Sequence, residues 1–170
     1  MKKVLFFLAL IVLPLAGNAQ VAKFKSVFTL SFIRHIGWTE SAKQGDFVIG
    51  VVRDREIADW MTKLSAGKKF GFQNVVIKEF KSPEEVVDCQ VVYVSSNVNF
   101  SKHAATIVSK VNGGSTLIIT EAEGACNSGS MINFVVRDDK LKFEIHKGNA
   151  AKFGLQISSK LEGMSNAISL

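Results

Sequence analysis

Apolar side chains fall at helical intervals near the start of the chain. Between residues 21 and 38, Val21, Phe24, Val27, Phe28, Phe32 and Ile36 recur at spacings of three, four and one, which predicts a helix running to Trp38. Leu30 and Ile33 widen the apolar arc beyond one stripe, so this helix is either deeply buried or shared with a second surface. Beyond it the pattern alternates. Phe47-Val48-Ile49-Gly50-Val51-Val52 is a continuous apolar run, and Ile57, Trp60, Met61 and Leu64 then return to helical spacing. Val75-Val76-Ile77 is a second run, followed by Ser82-Pro83-Glu84-Glu85, which has the proline and early acids of a helix start. Val91 to Val94 is a third run. Ala104, Ile107, Val108 and Val111 make a helix face that ends at Asn112-Gly113-Gly114, and Leu117-Ile118-Ile119 is the fourth run.

Short β-branched runs between amphipathic helices predict an α/β fold, with a mostly parallel sheet and helices on both faces. The pattern then changes. Met131 to Val136 and Leu141 to Ile145 flank Arg137-Asp138-Asp139-Lys140, which predicts a C-terminal antiparallel hairpin. Ile157, Leu161, Met164 and Ile168 predict a final helix. No repeat, linker or low-complexity stretch divides the chain.

The first residues change the picture by adding a compartment. Met1-Lys2-Lys3 is basic, Val4 to Leu15 is apolar, and Gly17 and Ala19 supply the small residues of a cleavage site before Gln20. That is the plan of a signal peptide over residues 1–19, leaving one domain over 20–170. As a helix the apolar run spans only ~18 Å, too short for the ~30 Å core of a bilayer. Export from a bacterium into the periplasm is the expectation, with a mature chain that does not span the membrane. Of 21 Lys and Arg, Lys2 and Lys3 leave with the signal, so 19 bases face 15 acids, a net +4. These bases are scattered, and no basic stripe is interleaved with aromatics, which argues against nucleic acid as a partner.

Two cysteines in an exported chain suggest a disulfide. Cys89 belongs at the start of the third strand, however, and Cys126 in the loop beyond the fourth. Parallel neighbours put those positions at opposite ends of the sheet, ~20 Å apart, against the ~5.5 Å a disulfide needs. Cys89 therefore reads as a small buried hydrophobe. Cys126 reads either as an exposed thiol able to form a mixed or intermolecular disulfide, or as an inert loop residue.

The loop from Glu121 to Ser130 follows the carboxyl end of a strand, where open α/β sheets place ligand crevices. Glu121 and Glu123 there are either acceptors for a cationic ligand or, the more usual case, solvated loop acids. Asn133 lies within an apolar strand and needs partners for its amide, and a structural hydrogen bond to the neighbouring loop is expected ahead of ligand contact. His35 and Trp38 sit at an interface edge if the first helix is shared; otherwise they are a surface histidine and a core tryptophan. His103 and His146 read as solvent-facing. Nucleophile elbows, zinc-binding helices, Cys-x-x-Cys pairs and phosphate loops are missing from the sequence, so no enzyme, metal or cofactor is expected. A Cys126–histidine pair meeting in space is the one catalytic arrangement left open.

Several stretches together resemble one family. Phe32-Ile33-Arg34-His35-Ile36-Gly37-Trp38 is similar to the first-helix signature of the YfiR family of periplasmic proteins. Phe47 to Val51 and Cys89 to Ser95 resemble its first and third strands. Gly129 to Val135, Leu141 to His146 and Gly154 to Leu161 resemble its carboxy-terminal third. The chain departs from the family pattern with Thr39 for a proline, Ala125 for an aromatic, Ser130 for a glycine and His146 for an asparagine, and it keeps the family's cysteines only in part. The resemblance implies a regulator that contacts the periplasmic sensor part of an inner-membrane signalling protein such as a diguanylate cyclase, acting as a homodimer. The alternative is a small-molecule-binding protein that uses the crevice at the carboxyl ends of the strands.

Overall fold

The computed structural model describes residues 19–111 and 114–167. Residues 1–18, which hold most of the signal peptide expected over residues 1–19, lie outside the described residues, as do Asn112-Gly113 and residues 168–170, Ile168 among them. The fold is α/β, with a mostly parallel seven-stranded sheet. Helix α1 covers residues 19–32. A 3-10 turn at Ile33–His35 leads into the short strand β1 (Ile36–Gly37), and β2 follows at Phe47–Val52. The chain continues through α2 (Arg55–Ser65), β3 (Lys69–Phe70), β4 (Gln73–Phe80), β5 (Val91–Val94), α3 (Phe100–Val111) and β6 (Leu117–Thr120). It ends with β7 (Ile132–Arg137), β8 (Lys140–Ile145), α4 (Lys147–Lys152), β9 (Gln156–Ile157) and α5 (Ser159–Ala167).

The large sheet has the order β3-β4-β2-β5-β6-β7-β8. The run from β4 to β7 is parallel, and an antiparallel pair closes each end, β3 with β4 and β7 with β8. From the central β2/β5 pair the chain leaves in both directions, through α2 to β4 and through α3 to β6. Where such crossovers are right-handed, the near-universal hand, opposed directions put α2 and α3 on opposite faces. The central strands β5 and β6 are buried along their whole length, which is why they read as unbroken apolar runs and not as alternation.

Local chemistry sets the boundaries. Asp54 caps α2, its Oδ1 accepting the Ile57 amide at 3.0 Å. The β7–β8 turn carries Asp138 and Asp139 at φ +54° and +57°, the left-handed pair of a two-residue type I′ hairpin that aspartate tolerates. A side chain at Gly50 would meet the Phe80 ring at 2.4 Å and Cys89 Sγ at 3.4 Å, so β2 needs glycine where these groups cross it. Cys89 is 3% exposed, and both cysteines are free, as the opposed-ends argument predicts.

Three expected elements differ. The first helix stops at Phe32, not Trp38. Trp38 Nε1 donates to the Ile33 carbonyl at 3.0 Å, and the ring packs edge-on against Phe47 at 5.1 Å. That bond occupies a carbonyl a longer helix would have used, and the released chain pairs antiparallel with β9. Ser82-Pro83-Glu84-Glu85 makes only the 3-10 turn Pro83–Glu85, because the chain turns extended at Val86, which is fully buried. Ile157 belongs to β9, so the final helix begins two residues after it, and the preceding α4 has no apolar stripe to announce it.

Candidate functional site

At the carboxyl edge of the sheet Glu121, immediately after β6, meets two partners. Its carboxylate accepts from Lys25 Nζ of α1 at 2.5 Å and from the Tyr93 hydroxyl of β5. The Glu121 side chain is 6% exposed and that of Lys25 17%, so this is a buried pair and not a solvated acid. Tyr93 is fully buried; burial pushes its phenol well above its ordinary pKa, and the Glu121 charge adds to the effect. Asp54 lies close enough for burial and Glu121 to raise its carboxyl pKa, while the Ile57 amide pulls it down. The group fastens α1 to the sheet.

The rest of the 121–130 loop is also engaged internally. Arg137 grips Glu123 with two hydrogen bonds of 2.8 Å and reaches Glu144 at 3.2 Å. Asn133 Oδ1 accepts from Thr120 Oγ1 at 2.7 Å and from the Ala122 amide at 3.1 Å, and its Nδ2 donates to Glu144 at 3.3 Å. The asparagine is thus a structural bridge from strand to loop, as its burial requires. A cavity of about 240 Å³ opens here beside Lys25, Glu121, Glu123 and Phe134, but Lys25 and Glu121 bind each other and Glu123 is held by Arg137.

Cys126 sits in the 3-10 turn Ala125–Ser128 and is only partly exposed. Burial raises its thiol pKa to about 11, with the Glu144 charge adding, so the reactive thiolate is disfavoured. Its carbonyl accepts from Asn149 Nδ2 at 2.7 Å. Of the two readings of Cys126, this arrangement fits the inert loop residue better than the exposed thiol. His35 is partly exposed at the end of its turn, and its carbonyl accepts the Ser158 amide at 3.0 Å. Trp38 is part of the aromatic cluster with Phe47 and Phe70. His103 faces Glu84 at 3.4 Å, and His146 caps α4. Among the described residues no group of three or more His, Cys, Asp or Glu side chains is placed to hold a metal.

The four departures from the family pattern are each accommodated. Thr39 Oγ1 hydrogen-bonds to the Ser41 hydroxyl at 2.8 Å and to that of Ser115. Ser130 is buried with its hydroxyl donating to the Ile132 carbonyl at 2.9 Å. Ala125 is fully buried. His146 Nδ1 accepts the Asn149 amide at 3.1 Å, the bond an asparagine cap makes.

Among the described residues, α1 carries large apolar side chains that stay partly exposed. Its inward face carries Ala22, Ser26, Thr29 and Phe32, all buried. Its outward face carries Val21, Phe24 and Val27, exposed at 42%, 37% and 42%. A shallow cavity of about 260 Å³, lined in part by Val21, Phe24, Val136 and Leu141, continues this apolar strip to the β7–β8 hairpin. On the other side Val27 and Leu30 enter a groove of about 310 Å³ with Phe47, Phe70 and Val75. The broad apolar arc in the sequence is the signal for this surface, and of the two readings left open it is the shared surface that fits the exposure. Individual residues there were not singled out, because periodicity does not tell an inner face from an outer one when both are apolar.

This is a small α/β protein whose polar groups at the strand ends are closed on one another and whose first helix presents an uncovered apolar strip. The family model described as YfiR/HmsC-like (DUF4154) matches residues 22–165, and the chain belongs to that family. A comparison with curated proteins finds no match.

Proposed function

We propose that the protein is a periplasmic regulator that recognises the outer part of an inner-membrane signalling protein, such as a diguanylate cyclase, through the outer face of α1. It works as a homodimer, without a cofactor and without catalysing a reaction. The observation that carries this reading is the exposure of Val21, Phe24 and Val27 on the outer face of α1, while Ala22, Ser26, Thr29 and Phe32 are buried on its inner face. Large apolar side chains turned outward on a packed helix suit a surface covered by another protein. Family membership supports the regulatory part of the reading. A small molecule in the crevice at the carboxyl ends of the strands has less support, because Lys25, Glu121, Glu123 and Arg137 there are paired with one another.

The test is co-purification from detergent-solubilised membranes of the native bacterium, with the captured proteins identified by mass spectrometry. The reading expects an inner-membrane protein with a signalling domain and a part outside the cytoplasm. Recovery of no such protein, or turnover of a small molecule by the purified chain, would overturn it.

A further inference from the structure

We propose that the tip of the β3–β4 hairpin is a membrane-contact element that docks on an anionic phospholipid surface. Lys69 pairs with Asn74 and Phe70 with Gln73, which leaves Gly71-Phe72 as a two-residue turn. Gly71 has φ +60°, the positive value that the first central position of a type II′ turn requires. The turn holds Phe72 at the corner of the hairpin, where it is 99% exposed. An isolated exposed apolar side chain is ordinary. Phe72 is not isolated in its chemistry.

Lys68 and Lys69 precede it, and both line the 310 Å³ groove together with Arg34. Among the described residues none of these three cations has an ion-pair partner, as is true of most of the described Lys and Arg side chains; what sets them apart is that they gather on one apolar groove. No acid lines the groove. The acid fixed near the base of the hairpin is Asp46, which accepts from Asn74 at 3.3 Å. A projecting aromatic, three unpaired cations and an apolar groove thus occupy one end of the molecule. A free anionic metabolite would account for the cations but not for Phe72. An anionic bilayer accounts for both: the ring enters the interface, the lysines meet the headgroups, and the groove accepts apolar lipid. The proposal does not depend on the partner reading, since a vesicle contains no protein.

The experiment is sedimentation of the mature protein with vesicles of phosphatidylcholine alone and of phosphatidylcholine mixed with phosphatidylglycerol. Binding is expected to the mixed vesicles, weakening as salt is raised. It should fall about tenfold in Phe72→Ser and at least about tenfold in the Lys68→Glu/Lys69→Glu double variant. Phe72→Ser removes a side chain that touches nothing, so its melting temperature should match the parent's. Phe24→Asp on α1 should leave vesicle binding intact. Equal binding to both vesicle types, binding to neither, or binding unaffected by these hairpin variants would overturn the proposal. So would competition by soluble glycerol phosphate, which would make the site one for a free anion.

Discussion

The carboxyl edge of the sheet and the outer face of α1 treat their side chains in opposite ways. At the edge, charged and polar groups are dense but closed. Lys25 and Tyr93 both donate to Glu121, Arg137 joins Glu123 to Glu144, and Asn133 ties Thr120 to the following loop. On α1 three large apolar side chains, Val21, Phe24 and Val27, stay partly exposed among the described residues. A functional surface must have interactions still to make. By that criterion the polar edge is architecture, and the proposed recognition surface is the apolar face of the helix.

The largest effect should come from opening the closed network. Glu121→Ala leaves Lys25 mostly buried without its counter-charge, and unfolding by denaturant should show a loss of about 3–5 kcal/mol. A near-neutral result would mean that Lys25 is free to reach water, and the edge would then be a candidate binding site after all. Tyr93→Phe removes one donor to the same carboxylate and should cost about 2 kcal/mol by the same measurement. The inner face of α1 offers a gain. The Thr29 hydroxyl is buried without a hydrogen-bond partner, so Thr29→Val should stabilise by about 1 kcal/mol, and a loss of stability would reveal a partner for it.

The smallest effect concerns pH. The folded-state pKa of Asp54 is raised, chiefly by burial, so the ionised carboxylate weakens the folded state at neutral pH. The parent protein should gain stability relative to Asp54→Asn as pH falls through that raised pKa. Asparagine keeps the cap on α2, so the difference at neutral pH should stay below about 1 kcal/mol. Melting curves across the acid range check the sign. A parent that instead loses ground to the variant on acidification would place a favourable partner beside Asp54.

Much of the fold was legible because it is written in burial. Runs such as Val91 to Val94 and Leu117 to Ile119 are apolar since they are covered on both sides, and Asp138-Asp139 is a turn pair that little else explains. The misread places are those where a tertiary contact overrides a local pattern. Ile36 keeps the helical interval but lies in β1, opposite Ile157 of β9, and the Trp38 indole ends the helix from outside it. The candidate site was less legible still. Glu121, Glu123 and Asn133 were visible as polar residues in a promising loop, but their partners Lys25, Arg137 and Glu144 lie elsewhere in the sequence or across a strand pair. Phe72 gave no signal, because an apolar residue beside a glycine reads the same whether it packs or projects.

The central claim is that the outer face of α1 serves association and not folding. The most direct test is one double variant, Phe24→Asp/Val27→Asp, measured for unfolding free energy and for capture of the membrane partner. The account predicts a variant that still unfolds cooperatively and loses no more than about 3 kcal/mol, since Phe24 and Val27 are already exposed at 37% and 42%, together with loss of capture. Capture at the parent level by a stably folded variant would contradict it.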